Sequence, residues 1–141
     1  MAALVLAAGC GGGEPTITGK LRHLDDTGIA PFPIEEGTIL ALPAGEGAGA
    51  RLAAMPDGEL RHLSELVEES AVLAEGGAWQ PLGRGGRFTL PVAPGEWVLC
   101  WADEGASPES GRTRGCSVVT LEAGSRIAAS FGEGGVGATA E

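Results

Sequence analysis

The chain has 141 residues, 9 of them basic and 19 acidic, for a net charge of −10. That length suits one domain able to bury a core. The charge disfavours nucleic acid and electrostatic adhesion to anionic lipid, since both are themselves negative.

The elements follow in chain order. Met1 to Ala8 is apolar and ends in small residues before Cys10, in the string "LAAGC". This resembles the lipobox of bacterial lipoproteins, in which a leader is removed before a cysteine whose thiol is then acylated. Ala8 and Gly9 fill small-residue positions, and Ala7 stands where leucine is usual, with Leu6 one place earlier. No basic segment precedes the run, so 1–9 reads as a partial signal. It is far short of the roughly 20 apolar residues that span a bilayer. The resemblance implies lipidation at Cys10, a membrane partner through that anchor, and an extracytoplasmic, lipid-anchored location. "CGGGEP", over 10–15, reads as a flexible tether.

"TITGKLRHL" alternates as a strand does, with Ile17, Gly19 and Leu21 against Thr18, Lys20 and Arg22. "DDTG" turns the chain, and "APFPIEEG" holds too much proline for a central strand. "TILALPA" is a short apolar strand. In "PDGELRHLSELVEESAVLAEGG", Leu60, Leu63, Val67, Ala71 and Ala74 recur at helical spacing. Asp57 can cap the start, Glu59 suits the first turn, and Gly76–Gly77 ends it. The spacing predicts one helix over 57–75, inserted between strands and lying over a sheet edge or end. "GGAWQPLG" reads as a loop that presents Trp79. "GRFTLPV" is a strand, Pro94 and Gly95 stand in the order of a type II turn, and "EWVLCWA" is the next strand. "EGASPESGRTR" reads as a connecting loop. "CSVVTLE" and "RIAASF" form the last pair around Gly124, and 133–141 reads as a flexible tail. One helix among six or more strands predicts an all-β sandwich over 16–132.

These strands resemble the bacterial carboxypeptidase regulatory-like domain, which implies an Ig-like or transthyretin-like antiparallel β-sandwich of about seven strands. Its recognisable piece is a Gly-x-Phe strand, a Pro-Gly turn and an aromatic opening the next strand. Gly86, Phe88, Pro94, Gly95 and Trp97 take those positions, with Trp97 where tyrosine is usual. The resemblance implies a non-catalytic folding, spacing or ligand-contacting module on exported proteins. A related branch forms Lys–Asn crosslinks. Lys20 lies on a suitable strand, but the chain has no asparagine.

With Cys10 assigned to the anchor, Cys100 and Cys116 remain, and in an exported chain a disulfide is the default. Alternation puts Val98, Cys100 and Ala102 on one strand face, and Cys116, Val118 and Thr120 on one face of the other, so adjacent pairing lets the thiols meet. Trp97, Leu99 and Trp101 share the opposite, core-like face. His23 with Asp25 and Asp26, and His62 with Glu65 and Glu69, are the His/carboxylate groups that could be imagined around a metal. Both read as surface residues, so no metal or cofactor is expected. No HExxH, GxSxG, P-loop or Rossmann fingerprint is present. The sequence therefore predicts a non-catalytic cell-envelope lipoprotein domain with a binding or structural role toward a protein or carbohydrate. One rival is a carbohydrate-binding module using Trp79. Another is an exported metal-dependent hydrolase using His62, Glu65 and Glu69.

Overall fold

The structure, a computed structural model, describes residues 17–23, 32–104 and 107–141. The segment 1–9, Cys10, the tether over 10–15, and Asp25 and Asp26 lie outside the described residues. The described residues form ten strands: β1 (Ile17–His23), β2 (Phe32–Pro33), β3 (Thr38–Pro43), β4 (Leu66–Glu68), β5 (Ala78–Pro81), β6 (Arg87–Leu90), β7 (Gly95–Glu104), β8 (Ser110–Leu121), β9 (Arg126–Gly132) and β10 (Gly135–Ala140). Three short helices, α1 (Gly47–Ala53), α2 (Asp57–Leu60) and α3 (Glu69–Ala74), join them.

The strands form two sheets, as the expected all-β sandwich requires. The first runs β10-β9-β1, and the far side of β1 is shared by β6 and β2. The second runs β4-β8-β7-β3-β5. Between them lies the main core, in which Ile17, Leu21, Phe88, Leu90 and Ile127 of the first sheet meet Ile39, Trp97, Leu99, Trp101, Val119 and Leu121 of the second. Every pairing is antiparallel except β1 with β9, which is parallel.

The two sheets differ in what lies behind them. Along β3 and β7, residues go alternately to the main core and to a second core on the outer face: Leu40, Leu42, Val98, Cys100 and Ala102 face outward and are still buried. The covering is supplied by the segment between β3 and β5, through Leu52 of α1, Leu60 of α2 and Val72 of α3. A sheet buried on both faces needs near-continuous apolar strands, and "ILALP" and "WVLCWA" are such runs. β1 and β6 alternate between buried and solvent-facing residues, because none of the described residues covers the outer face of the first sheet.

The continuous helix over 57–75 does not form. The chain makes one turn at α2, extends as β4 along the edge of β8, and re-enters a helix at α3. The edge of β8 offers backbone partners that local helix propensity cannot match. Thr113 of β8, itself buried, donates through its hydroxyl to the Leu63 carbonyl and accepts from the Glu65 amide, each at 2.8 Å, and its own amide donates to the Glu65 carbonyl at 2.8 Å. Val72 is the buried residue of α3, while Ala71 and Ala74 face solvent, so the apolar spacing that suggested one helix is only partly a burial pattern. The insert also lies across the outer face of a sheet instead of over an edge or end. It crosses from β3 to β4 at one border and returns to β5 at the other.

Three further expectations are corrected. The tail over 133–141 contains β10, which pairs with β9 from Gly135↔Gly132 to Ala140↔Ile127 and buries Val136 and Ala138. The β7–β8 loop is shorter than expected, since β8 already begins at Ser110 and pairs back to Glu104. The corner before β7 is held by the Trp97 indole, which donates to the Ala93 carbonyl at 2.9 Å, and Gly95 takes a φ of +145° instead of the type II value of about +80°.

Candidate functional site

The disulfide joins Cys100 and Cys116, directly paired residues of β7 and β8 with Cα atoms 4.1 Å apart. It lies on the covered face, in the second core. Just past Cys116 the register slips by one residue, and Gly115, with φ of +135°, sits in that irregularity. A side chain there would collide with the carbonyl of Arg61, as it would at Gly135 (φ +82°). The same carbonyl accepts the Val136 amide at 2.9 Å. These contacts carry Arg61 out of the insert and fix it beside β10, at the border of the uncovered face.

Trp79 does not project from a loop. "AWQP" forms β5 against β3, with Trp79 opposite Leu40 on the outer face, and α1 to α3 bury it to 6% exposure. A stacking surface for sugar is therefore not available on Trp79. Trp97 and Trp101 are in the main core, as their alternation predicts. His62, Glu65 and Glu69 do not share a helical face, because the chain there is extended. Glu65 instead pairs with Arg51 at 3.1 Å, a contact that raises the Arg51 pKa through its hydrogen bond and then its charge. Among the described residues, no three His, Cys, Asp or Glu side chains are placed to hold a metal ion. His23 stacks on the half-exposed ring of Phe32 with centroids 4.8 Å apart.

The uncovered face of the first sheet holds an open groove of about 870 Å³. Register builds it row by row. Thr89 of β6, Thr18 of β1 and Arg126 of β9 stand in the first row. Arg87, Lys20, Ala128 and Thr139 form the second. Arg22, Ser130 and Gly137 form the third, with Arg61 reaching in beside Gly137. Five of the chain's nine basic residues line this groove, against one acidic side chain among the described residues, Glu141. β1, β6, β9 and β10 carry four cations and no carboxylate, whereas residues 44–82 carry seven acids and two bases.

Lys20 and Arg87 are direct cross-strand partners. Like charges in that relation destabilise a sheet. Arg61 is partly neutralised by Asp57 at 2.6 Å. Lys20, Arg22, Arg87 and Arg126 make no ion pair among the described residues. The outward positions of "ITGKLRH" and "RFTL" already showed these cations in sequence. Only the parallel pairing of β1 with β9 brings Arg126 beside them.

A second cavity, of about 230 Å³, lies under the insert over Leu40, Leu42, Leu52, Val72 and Cys100. The Arg51–Glu65 pair crosses its rim. Its apolar lining matches the second core and adds no reactive group.

No family model matches the chain, and no curated protein matches it. Among solved structures, it is similar to the crystal structure of a Pseudomonas aeruginosa protein proposed to bind carbohydrate. The TM-score is 0.50 at 15% identity, over 90% of this chain and 93% of that one. Identity this low speaks for the fold alone.

Proposed function

We propose that this chain is a non-catalytic, extracytoplasmic binding domain of the carboxypeptidase regulatory-like kind, lipid-anchored through Cys10, whose ligand is carbohydrate. The observation that carries the reading is the uncovered groove on the first sheet. Its walls are side chains from four strands, so the donors and acceptors are held by a rigid scaffold. Thr18, Thr89, Ser130 and Thr139 offer hydroxyls that can donate to and accept from sugar hydroxyls. The similarly folded Pseudomonas aeruginosa protein is proposed to bind carbohydrate, which agrees with such a ligand. The rival that relied on Trp79 lacks an accessible ring, and the hydrolase rival lacks a converging His62, Glu65 and Glu69.

Electrophoresis through gels containing neutral or acidic polysaccharides tests the reading. At least one polymer is expected to retard the protein, and Ala128→Trp, which fills the middle of the groove from an exposed position, is expected to restore mobility. Equal mobility in every gel sinks the carbohydrate assignment. Intact mass of the membrane-associated protein tests the anchor separately. A chain starting at Cys10 with acyl chains is expected, and a soluble chain retaining Met1 removes it.

A further inference from the structure

We infer that the groove takes an acidic polysaccharide, read through the carboxylate or sulfate groups along its chain; the inference rests on the carbohydrate reading above. The first ground is charge segregation. A protein of net charge −10 has gathered five of its nine cations around one groove, which Glu141 alone among the described acidic residues lines. Such a face accepts like-charge repulsion between Lys20 and Arg87 that a neutral ligand gives no reason to keep.

The second ground is the type of donor. Arg22, Arg87 and Arg126 present planar forks that match carboxylate and sulfate oxygens, and Lys20 adds a point charge between them. The third is extent. Arg126 stands in the first row and Arg22 in the third, four residues apart along the strands, or about 13 Å. Cations spread over this length match the repeated charges of an extended chain better than one small anion. The last is the lack of an aromatic platform. Phe88 is the aromatic residue lining the groove, and it is buried in the main core. A neutral sugar, or the bases of a single-stranded nucleic acid, would find no ring to stack on.

The test measures binding of the purified protein to polygalacturonate, heparin, neutral dextran, a single-stranded oligonucleotide and vesicles containing anionic phospholipid. Polygalacturonate or heparin is expected to bind; binding of polygalacturonate shows that carboxylates suffice, and binding of heparin alone, which carries both groups, shows that sulfate is required. The affinity should fall at least tenfold between 50 and 300 mM salt, on the order expected when several ion contacts are released. Lys20→Ala with Arg87→Ala should weaken it at least tenfold while the melting temperature holds, and Arg114→Ala, on the second sheet, should not. Dextran bound as well as the acidic polymers, and lost on Ala128→Trp, overturns the acidic ligand and leaves the carbohydrate reading standing. Binding of only the oligonucleotide or the vesicles, or of none of the probes, overturns both.

Discussion

The two outer faces of this sandwich have been treated in opposite ways. Behind the second sheet, an insert of three short helices and a strand builds a second core over a disulfide. Behind the first sheet none of the described residues is laid, and polar side chains with a cationic excess line that face. The insert also carries seven of the chain's acids, so charge and cover are divided along the same line. One face serves stability, and its residues are fixed by packing. The other contributes little to stability and is free to be shaped by a ligand.

If that division holds, substitutions behind the two sheets should differ sharply in cost. The largest effect is expected at Trp79, whose ring fills the second core. Trp79→Ala should cost about 3–5 kcal/mol, as for other large core aromatics. Denaturant unfolding followed by circular dichroism measures it. A cost under 1 kcal/mol would mean that the insert is a loose flap and that the covered face is no second core.

Next comes the disulfide. Cys100→Ala with Cys116→Ala opens a loop closed across 16 residues and should cost roughly 3 kcal/mol, or on the order of 10 °C in melting temperature. Reduction of the native protein should give a similar fall. An unchanged melting temperature on reduction would show that the second core holds β7 and β8 without the bond. Thr113 follows: it is 1% exposed, and its hydroxyl bridges the insert to β8 by two hydrogen bonds. Thr113→Val leaves the Glu65 amide and Leu63 carbonyl without that partner, an expected loss of about 1–3 kcal/mol. Hydrogen exchange should localise the loss to 61–75, with β1 and β9 unchanged. A loss spread evenly over both sheets would deny that the insert is a separately held layer.

The same division governs how much could be read from the chain. Strands of the uncovered sheet obey simple alternation, so β1 and β6 were plain in "ITGKLRH" and "RFTL". β3 and β7 were recognisable as strands, and Trp97, Leu99 and Trp101 fell on the core side as their alternation required. The apolar residues between them, Leu40, Val98 and Cys100, also signal burial on both sides, and hence a covering layer. The composition of that layer was not legible. β4 exists because β8 offers an edge to pair with, and no pattern within "LVE" announces it. Val67, one of the residues at helical spacing, is a strand residue there, so that spacing was a false cue for a helix. Trp79 misled for a related reason, since glycine and proline around it look like a loop although β3 pairs with it. β10, in "GVGATA", is nearly featureless and is held by β9 and by the Arg61 carbonyl. The groove depends on pairing too. Four strands distant in sequence supply its cations and hydroxyls, and no one segment displays them together.

The smallest expected effect is the most telling, because its sign is opposite. Lys20 lies on the uncovered face opposite Arg87, and among the described residues it makes no ion pair. Removing one of two like charges relieves repulsion of a few tenths of a kcal/mol, and threonine suits a strand better than lysine does. Lys20→Thr should therefore raise stability by about 0.2–0.5 kcal/mol at low salt. The gain should shrink above 0.1 M salt, where charges about 10 Å apart are already screened. Matched thermal melts of the two proteins at 10 and 300 mM salt measure it. A variant more stable than the native chain, yet weaker for an acidic polymer, is the signature of a residue retained for binding at some cost to the fold. A loss above 1 kcal/mol would instead mean that the Lys20 stem helps hold the sheet, and the uncovered face would then resemble the covered one.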